Sequence, residues 1–456
     1  MKDAFITAVV MSGERIKVVQ ELARHSKADL TLNGTRTPDN TICKALLKMH
    51  KQHAAAARHG DATVPPIAPT LMRRIADARI MREACDQLVR NGPTAPGPNG
   101  WRFDDLESAE IWPLCRALGK SVLAGTYRPG PERRVKIAKE GKPGQFREIV
   151  VQNIEDRIVG KALQLVLEPI VDPTFAHHSY GFRPGLGPLN ALASALFLAR
   201  SQRRWYWVSA DIEKAFDRVP HNRLLDACRH HFPDDVVKFI STVSRTSKRR
   251  GQRQGSPASP MLFNIFADRY VDRAWHHLHP EVPVFRYADD LLLLCQSEAR
   301  ALEASAALFQ LAQSAGTALK GSASDSIHDL RAGDPIEWLG FLLMRENNRL
   351  AVRIAPKAWD HLGHHLEKAH SDDLAALRAN QIVAGWLAEM GPCFPFENQD
   401  TVLTRLRDMA DVLAFDELPA DYELISGWSA AHARWQRLYD QEAPKLAHRL
   451  TMIKAQ

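Results

Sequence analysis

Three observations on the amino-acid sequence predict an α+β fold. Short apolar-rich runs alternate with amphipathic stretches through the middle of the chain. Both flanks read as almost wholly helical. Within the middle, "FRYADDLLLL" (285–294) sets two adjacent acids, Asp289 and Asp290, between apolar runs of strand character. Paired like charges beside a buried strand are costly, so these acids need a purpose.

The elements follow in order. Residues 1–75 form a helical N-terminal extension, with Val18, Val19, Leu22, Leu30 and Leu46 spaced among charges, and "HGDATVPPIAPT" (59–70), rich in proline, is a linker. A helix is expected over about 71–90, followed by a break at "NGPTAPGPNG" (91–100). Residues 131–151 read as two short strands about the Gly/Pro-centred loop "KEGKPGQ". "IEDRIVGKALQLVLEPIV" (154–171) has the helical period. "YWVSADI" (206–212) alternates as a strand, the turn "EKAFDRV" follows, and a helix starts near Pro220. "GSPASPMLFNIFADRYVDRAWHHL" (255–278) opens on prolines suited to a helix N-terminus. "PVFRYADDLLLLC" (283–295) reads as two strands joined at a tight turn, Ala288–Asp289, and "IEWLGFLLM" (336–344) as another strand pair. Residues 356–456 are nearly all helix, interrupted at "GPCFPFEN" (391–398).

Composition narrows the function classes. Hydrophobic residues make up 45% and charged residues 25% of the 456, which suits an ordinary globular protein of several domains. No apolar run reaches the roughly 18 residues of a membrane helix. The N-terminal apolar stretch is short, with an acid in front of it, and makes a poor signal peptide. A cytoplasmic location with no membrane partner is therefore expected. The six cysteines (Cys43, Cys85, Cys115, Cys228, Cys295 and Cys393) include no CxxC pair and read as reduced thiols. The net charge of +7 points towards a polyanionic partner. Basic residues are concentrated in two places, 127–147 and Arg245–Arg253. Lys248, Arg249, Arg250 and Arg253 are the expected nucleic-acid contacts.

An Asp pair on a turn can be an Asx-type turn and no more. The functional alternative is that the carboxylates hold hard cations, which take oxygen ligands. Two ions about 3.5–4 Å apart can clamp the attacking and leaving oxygens of a phosphoryl transfer. That reading needs a further carboxylate on a neighbouring strand. Asp211, at the end of the strand "YWVSADI", supplies it.

"YADD", preceded by "SADIEKAFDRV" and "RQGSPASPMLFNIF", resembles the reverse transcriptases of bacterial group II introns and their relatives. The likeness extends upstream through 125–170 and "SYGFRPG", and downstream to "WLGF", so that it covers about residues 95–345. It implies a right-hand polymerase: fingers and palm over 76–350 with a split βαβ sheet, and a helical thumb over 356–456. On the matching positions, Asp211 and Asp289 are the metal-binding aspartates and Asp290 the third acid beside them. Together they make up the implied catalytic and metal-holding set. Phe216 matches the aromatic gate beneath the sugar of the incoming nucleotide. Gln254 and Gly255 match the block that closes over nucleotide and template. Arg147, with Lys139, matches the fingers residues that grip the triphosphate. The implied cofactor is two Mg²⁺ ions, with Mn²⁺ as a substitute. The implied partners are an RNA template, a DNA primer or product and dNTPs, with a dedicated non-coding RNA as an optional addition. "SYGFRPG" and Asp217 are read as structural.

The chain also departs from the family. "GTALKGSASDSIHDL" (316–330) replaces the usual Asn/Ser-Pro-Glu-Lys-Thr loop, and Lys320 is left unassigned. Leucines follow "YADD" where an aromatic is usual. No His/Cys cluster of the HNH type stands in the last 110 residues, which fits a domesticated enzyme of phage defence or CRISPR association. His361, His364 and His365 have helical metal-ligand spacing, but with no fourth ligand they read as a solvated face. The expected function is RNA-directed DNA synthesis, and the alternative is a maturase that binds intron RNA.

Overall fold

Strand alternation explains the four consecutive leucines. In this computed structural model, which describes residues 70–90, 95–138, 146–244, 250–253, 255–415 and 417–454, the run lies in β5 (Asp290–Cys295) of a four-stranded sheet. Strands β1 (Arg133–Ala138) and β2 (Phe146–Val151) form a separate hairpin, as expected about the Gly/Pro loop. The sheet is built from β3 (Tyr206–Asp211), β4 (Val284–Tyr287), β5 and β6 (Ile327–Asp329), in the order β4-β5-β3-β6. Successive side chains leave opposite faces. Leu291, Leu293 and Cys295 enter one hydrophobic cluster. Leu292 and Leu294 enter a second. A sheet buried on both faces needs apolar residues at every position, so the run is continuous rather than alternating.

All three pairings in the sheet are antiparallel, so β3 runs parallel to β4 with β5 between them. Likewise β5 runs parallel to β6 with β3 between. These are two interleaved split βαβ units, the ferredoxin-like arrangement. The helices 215–278 fill the first crossover and the helix Glu298–Ser314 the second. The split βαβ expectation is therefore met. The short strand β6 and the helices Ser108–Leu123, Pro188–Ser201 and Glu298–Ser314 are additions to the sequence reading.

One cluster gathers Ile154, Ile158 and Leu163, Met261 to Phe263 and Leu308 against one face of the sheet. The helix Ile154–Val171 is buried on most sides, beyond the single stripe of an amphipathic helix. The second cluster joins the helix Pro188–Ser201, Trp207, Phe285 and Leu292 to the antiparallel strands β7 (Ile336–Trp338), β8 (Phe341–Glu346) and β9 (Arg349–Ile354). The C-terminal helices Pro356–Ala369, Ala375–Glu389, Gln399–Val412 and Asp421–Lys454 pack into that same cluster. Leu71–Gln456 is accordingly one compact unit, with no break in packing at residue 350. The expected N-terminal extension lies outside the described residues up to residue 69. Among the described residues no helix is long and apolar enough to cross a membrane. The five described cysteines are all buried and free.

Candidate active site at the β4–β5 turn

The turn between β4 and β5 carries Ala288 at φ 56° and delivers Asp289 and Asp290 beside the end of β3. In the β3–β5 register Asp211 stands directly opposite Asp290. The Ile212 N–H donates to the Asp289 carbonyl at 3.0 Å, which ties the turn to β3. Three acids from two distant segments thus meet at the end of strands β3 and β5.

Two residues that the sequence reading did not credit hold this turn. Arg286 is completely buried. Its guanidinium donates to both carboxylate oxygens of Asp272 (2.7–3.0 Å), to Asn264 Oδ1 (2.8 Å), to Ser179 Oγ (2.6 Å) and to the Ala288 carbonyl inside the turn (3.0 Å). An arginine can satisfy this many acceptors because its five donors sit in one planar fork. Segment 178–180 pairs with β4: Tyr180 N–H donates to the Arg286 carbonyl and Arg286 N–H to the His178 carbonyl, each at 2.8 Å. Next to it Gly181 lies against the turn itself. A Cβ built there would come 2.1 Å from the Ala288 nitrogen. Ser179, Tyr180 and Gly181 of "SYGFRPG" thus all contact β4 or the acidic turn.

The electrostatics are those of an anionic cluster short of counter-charge. Burial, and then the neighbouring Asp211, raises the Asp289 carboxyl above the usual range. Burial, Asp289 and Asp211 together push Asp290 up to about 7. Like charges facing each other across an antiparallel pair are destabilising. Asp211 Oδ2 accepts from the Lys320 ammonium at 2.6 Å, whereas its buried Oδ1 has no hydrogen-bond partner. An orphaned carboxylate oxygen beside two carboxyls that resist ionisation suits a hard divalent cation. Among the described residues no group of three or more His, Cys, Asp or Glu side chains is placed to hold a metal ion by itself. A divalent cation held here by one or two carboxylates would complete its shell with other oxygen ligands.

Phe216 lies on the short helix Ala215–Arg218 after β3. One side of its ring packs on Phe182 (centroids 5.9 Å apart) and on Phe263 (5.4 Å). The residue is half-buried, so part of the ring remains open. Segment 250–252 runs antiparallel to 216–220, with Gln252 N–H donating to the Phe216 carbonyl at 2.7 Å. Residues 250–252 of the basic segment are therefore joined to the turn after Asp211. Arg250 is exposed and donates to the Gly316 carbonyl at 3.2 Å.

One expectation needs correction. Arg253 is buried, with Nε 2.7 Å from Glu132 Oε1 and a donor to the Gly130 carbonyl. A guanidinium occupied in this way is a clamp between segments, not a phosphate contact. Gly255 has φ 90°, and its missing Cβ makes room for the Val150 carbonyl, which would lie 2.4 Å from a Cβ built there. The glycine lets this loop approach β2, the strand that carries Arg147. Lys139, Gln254, Lys248 and Arg249 lie outside the described residues. His361 and His365 face each other with Nε2 atoms 3.1 Å apart, and His364 turns to Glu367.

The family described as "Reverse transcriptase (RNA-dependent DNA polymerase)" matches residues 137–343. The COX1/OXI3 intron 2 protein of Saccharomyces cerevisiae is 27% identical over 211 residues, covering 44% of this chain and 24% of that protein. Protein YkfC of Escherichia coli is 27% identical over 282 residues, covering 51% of this chain and 72% of YkfC. The group II intron-encoded protein LtrA of Lactococcus lactis is 29% identical over 182 residues, covering 37% of this chain and 30% of LtrA. This chain thus spans about a quarter of the length of the yeast intron protein.

Proposed function

We propose that this chain is an RNA-directed DNA polymerase that extends a primer with dNTPs, a reading supported by the match of residues 137–343 to the reverse transcriptase family and by the likeness to intron-encoded proteins. The observation that carries the proposal is the register placing Asp211 opposite Asp290 with Asp289 in the adjoining turn. Residues 76–350 act as fingers and palm, and 356–456 as the thumb packed behind the sheet. RNA template and DNA primer are the partners.

Asp211 and Asp289 would hold Mg²⁺, with Asp290 as the third acid; two such ions would supply Lewis acidity at the primer hydroxyl and the leaving pyrophosphate. The chain's own residues do the positioning. The hairpin, braced by Arg286 and Gly181, keeps the acids in place without reorganisation, and such preorganisation is a main source of rate. The open part of the Phe216 ring bounds the sugar. Arg147 on β2 grips the triphosphate, and the loop of Gln254 and Gly255 closes beside it. A domesticated role in antiviral defence belongs to the same reading and rests on family analogy.

Asp289→Asn tests the proposal, since it keeps the shape and removes the charge. Primer extension should fall by several orders of magnitude with the melting curve intact. Extension at the wild-type rate would overturn the assignment. Phage plating on cells carrying the wild-type or the Asp289→Asn gene tests the defence role, which requires protection by the first alone.

A further inference from the structure

Lys320 is fixed beside Asp211 by its backbone as well as its side chain. The segment after the helix Glu298–Ser314 turns at Gly316 (φ 78°), whose missing Cβ lets it lie against Pro220. It then runs antiparallel to the end of β3. Glu213 N–H donates to the Ala318 carbonyl at 2.7 Å, Leu319 bridges Ile212, and Lys320 N–H donates to the Asp211 carbonyl at 2.9 Å. From that fixed base the ammonium reaches Asp211 Oδ2 at 2.6 Å. The lysine side chain is 55% exposed and the aspartate 32%, so the ammonium has open water to move into. Gly321 follows at φ 71° with open space around it. The other carboxylate oxygen of Asp211 is buried without a partner.

We propose that the Lys320 ammonium is the resident counter-ion of this acidic cluster and that a divalent cation must displace it from Asp211 in order to load. The inference rests on the reading of Asp211 as a cation ligand. Its chemistry is a competition between two cations for one carboxylate. The fixed backbone keeps the competitor always at hand, so ion affinity is set below what the acids alone would give. Each loading event releases the ammonium into the space beside the site.

The test is titration with Mn²⁺ alone, following the free ion by electron paramagnetic resonance at low ionic strength. The proteins compared are wild type, Lys320→Ala, Lys320→Gln, Lys320→Arg and Asp211→Asn. Lys320→Ala and Lys320→Gln should bind the ion about three- to tenfold more tightly, a size that suits loss of a largely solvated ion pair and its repulsion. The gain should shrink as salt screens the charges. Lys320→Arg should stay near wild type, and Asp211→Asn should bind much more weakly. Wild-type binding by Asp211→Asn would overturn the site reading itself. Weak binding by Asp211→Asn, together with unchanged or weaker binding by the two neutral Lys320 variants, would leave the site standing and overturn the counter-ion.

Discussion

Replacing Gly181 by alanine should remove most of the polymerase activity while leaving the chain folded. The new methyl would sit 2.1 Å from the Ala288 nitrogen and 2.9 Å from both the Ala288 Cα and the Tyr287 carbonyl carbon. The first of these falls about 1.3 Å short of the 3.4 Å at which ordinary contact begins. One backbone or the other must therefore move by about that much, and neither is loose. The Gly181 carbonyl accepts from Asn264 at 2.9 Å, and the preceding Tyr180 N–H is bonded to β4 at 2.8 Å. On the other side the Ala288 carbonyl is held by Arg286 and the Asp289 carbonyl by Ile212. Overpacking of this kind costs about 1–3 kcal/mol in stability. The rate should suffer more, because a misplacement of about 1 Å at a reacting centre can cost about 100-fold. The assay is single-turnover primer extension beside a thermal melt. Gly185→Ala is the control: it lies in the same loop at φ 72° with nothing within 4 Å. It should therefore lose stability through backbone strain yet keep its rate. A folded Gly181→Ala protein that extends primers within about threefold of wild type would refute the claim that this glycine sets the position of the turn.

Three further outcomes follow from the same geometry. In metal-free protein Asp290, at about 7 against an ordinary 3.8, binds a proton more readily folded than unfolded, so its contribution to stability is lost as pH rises from about 4 to 7; Asp290→Asn should raise the melting temperature at pH 8 and barely change it at pH 4, and equal shifts at both would exclude the effect. Phe216→Val should admit ribonucleotides with roughly 10- to 100-fold loss of sugar discrimination, from a clash worth about 1–3 kcal/mol, and an unchanged dNTP/rNTP ratio in single-nucleotide extension would make the ring core packing only. Arg253→Ala should destabilise the fold by about 1–3 kcal/mol by leaving the half-buried Glu132 carboxylate unpaired, without altering the salt slope of nucleic-acid binding, whereas Arg250→Ala should lower that slope by up to about one unit with little change in melting temperature.

The local chemistry of the site was readable in the sequence because it depends on neighbours along the chain. Alternation in "YWVSADI", a turn-forming "YADD" and the leucines after it specify a strand ending in an acid and a hairpin presenting two more, and the order of blocks puts them in one sheet. The tertiary structure decided which residues serve that hairpin. Ser179 and Arg286 are hydrogen-bonded across 107 positions of sequence, Lys320 and Asp211 across 109, and no periodicity records such a pairing. The same limit explains the correction. Arg253 looks like one more charge in a basic run until Glu132 is found beside it, since the partner decides whether a guanidinium faces solvent or a carboxylate. Gly255 likewise shows that something comes close but not what, and only the structure names the Val150 carbonyl. Strand β6 escaped notice because three residues, Ile327–Asp329, are too few to show a period, and only the open edge of β3 makes them a strand.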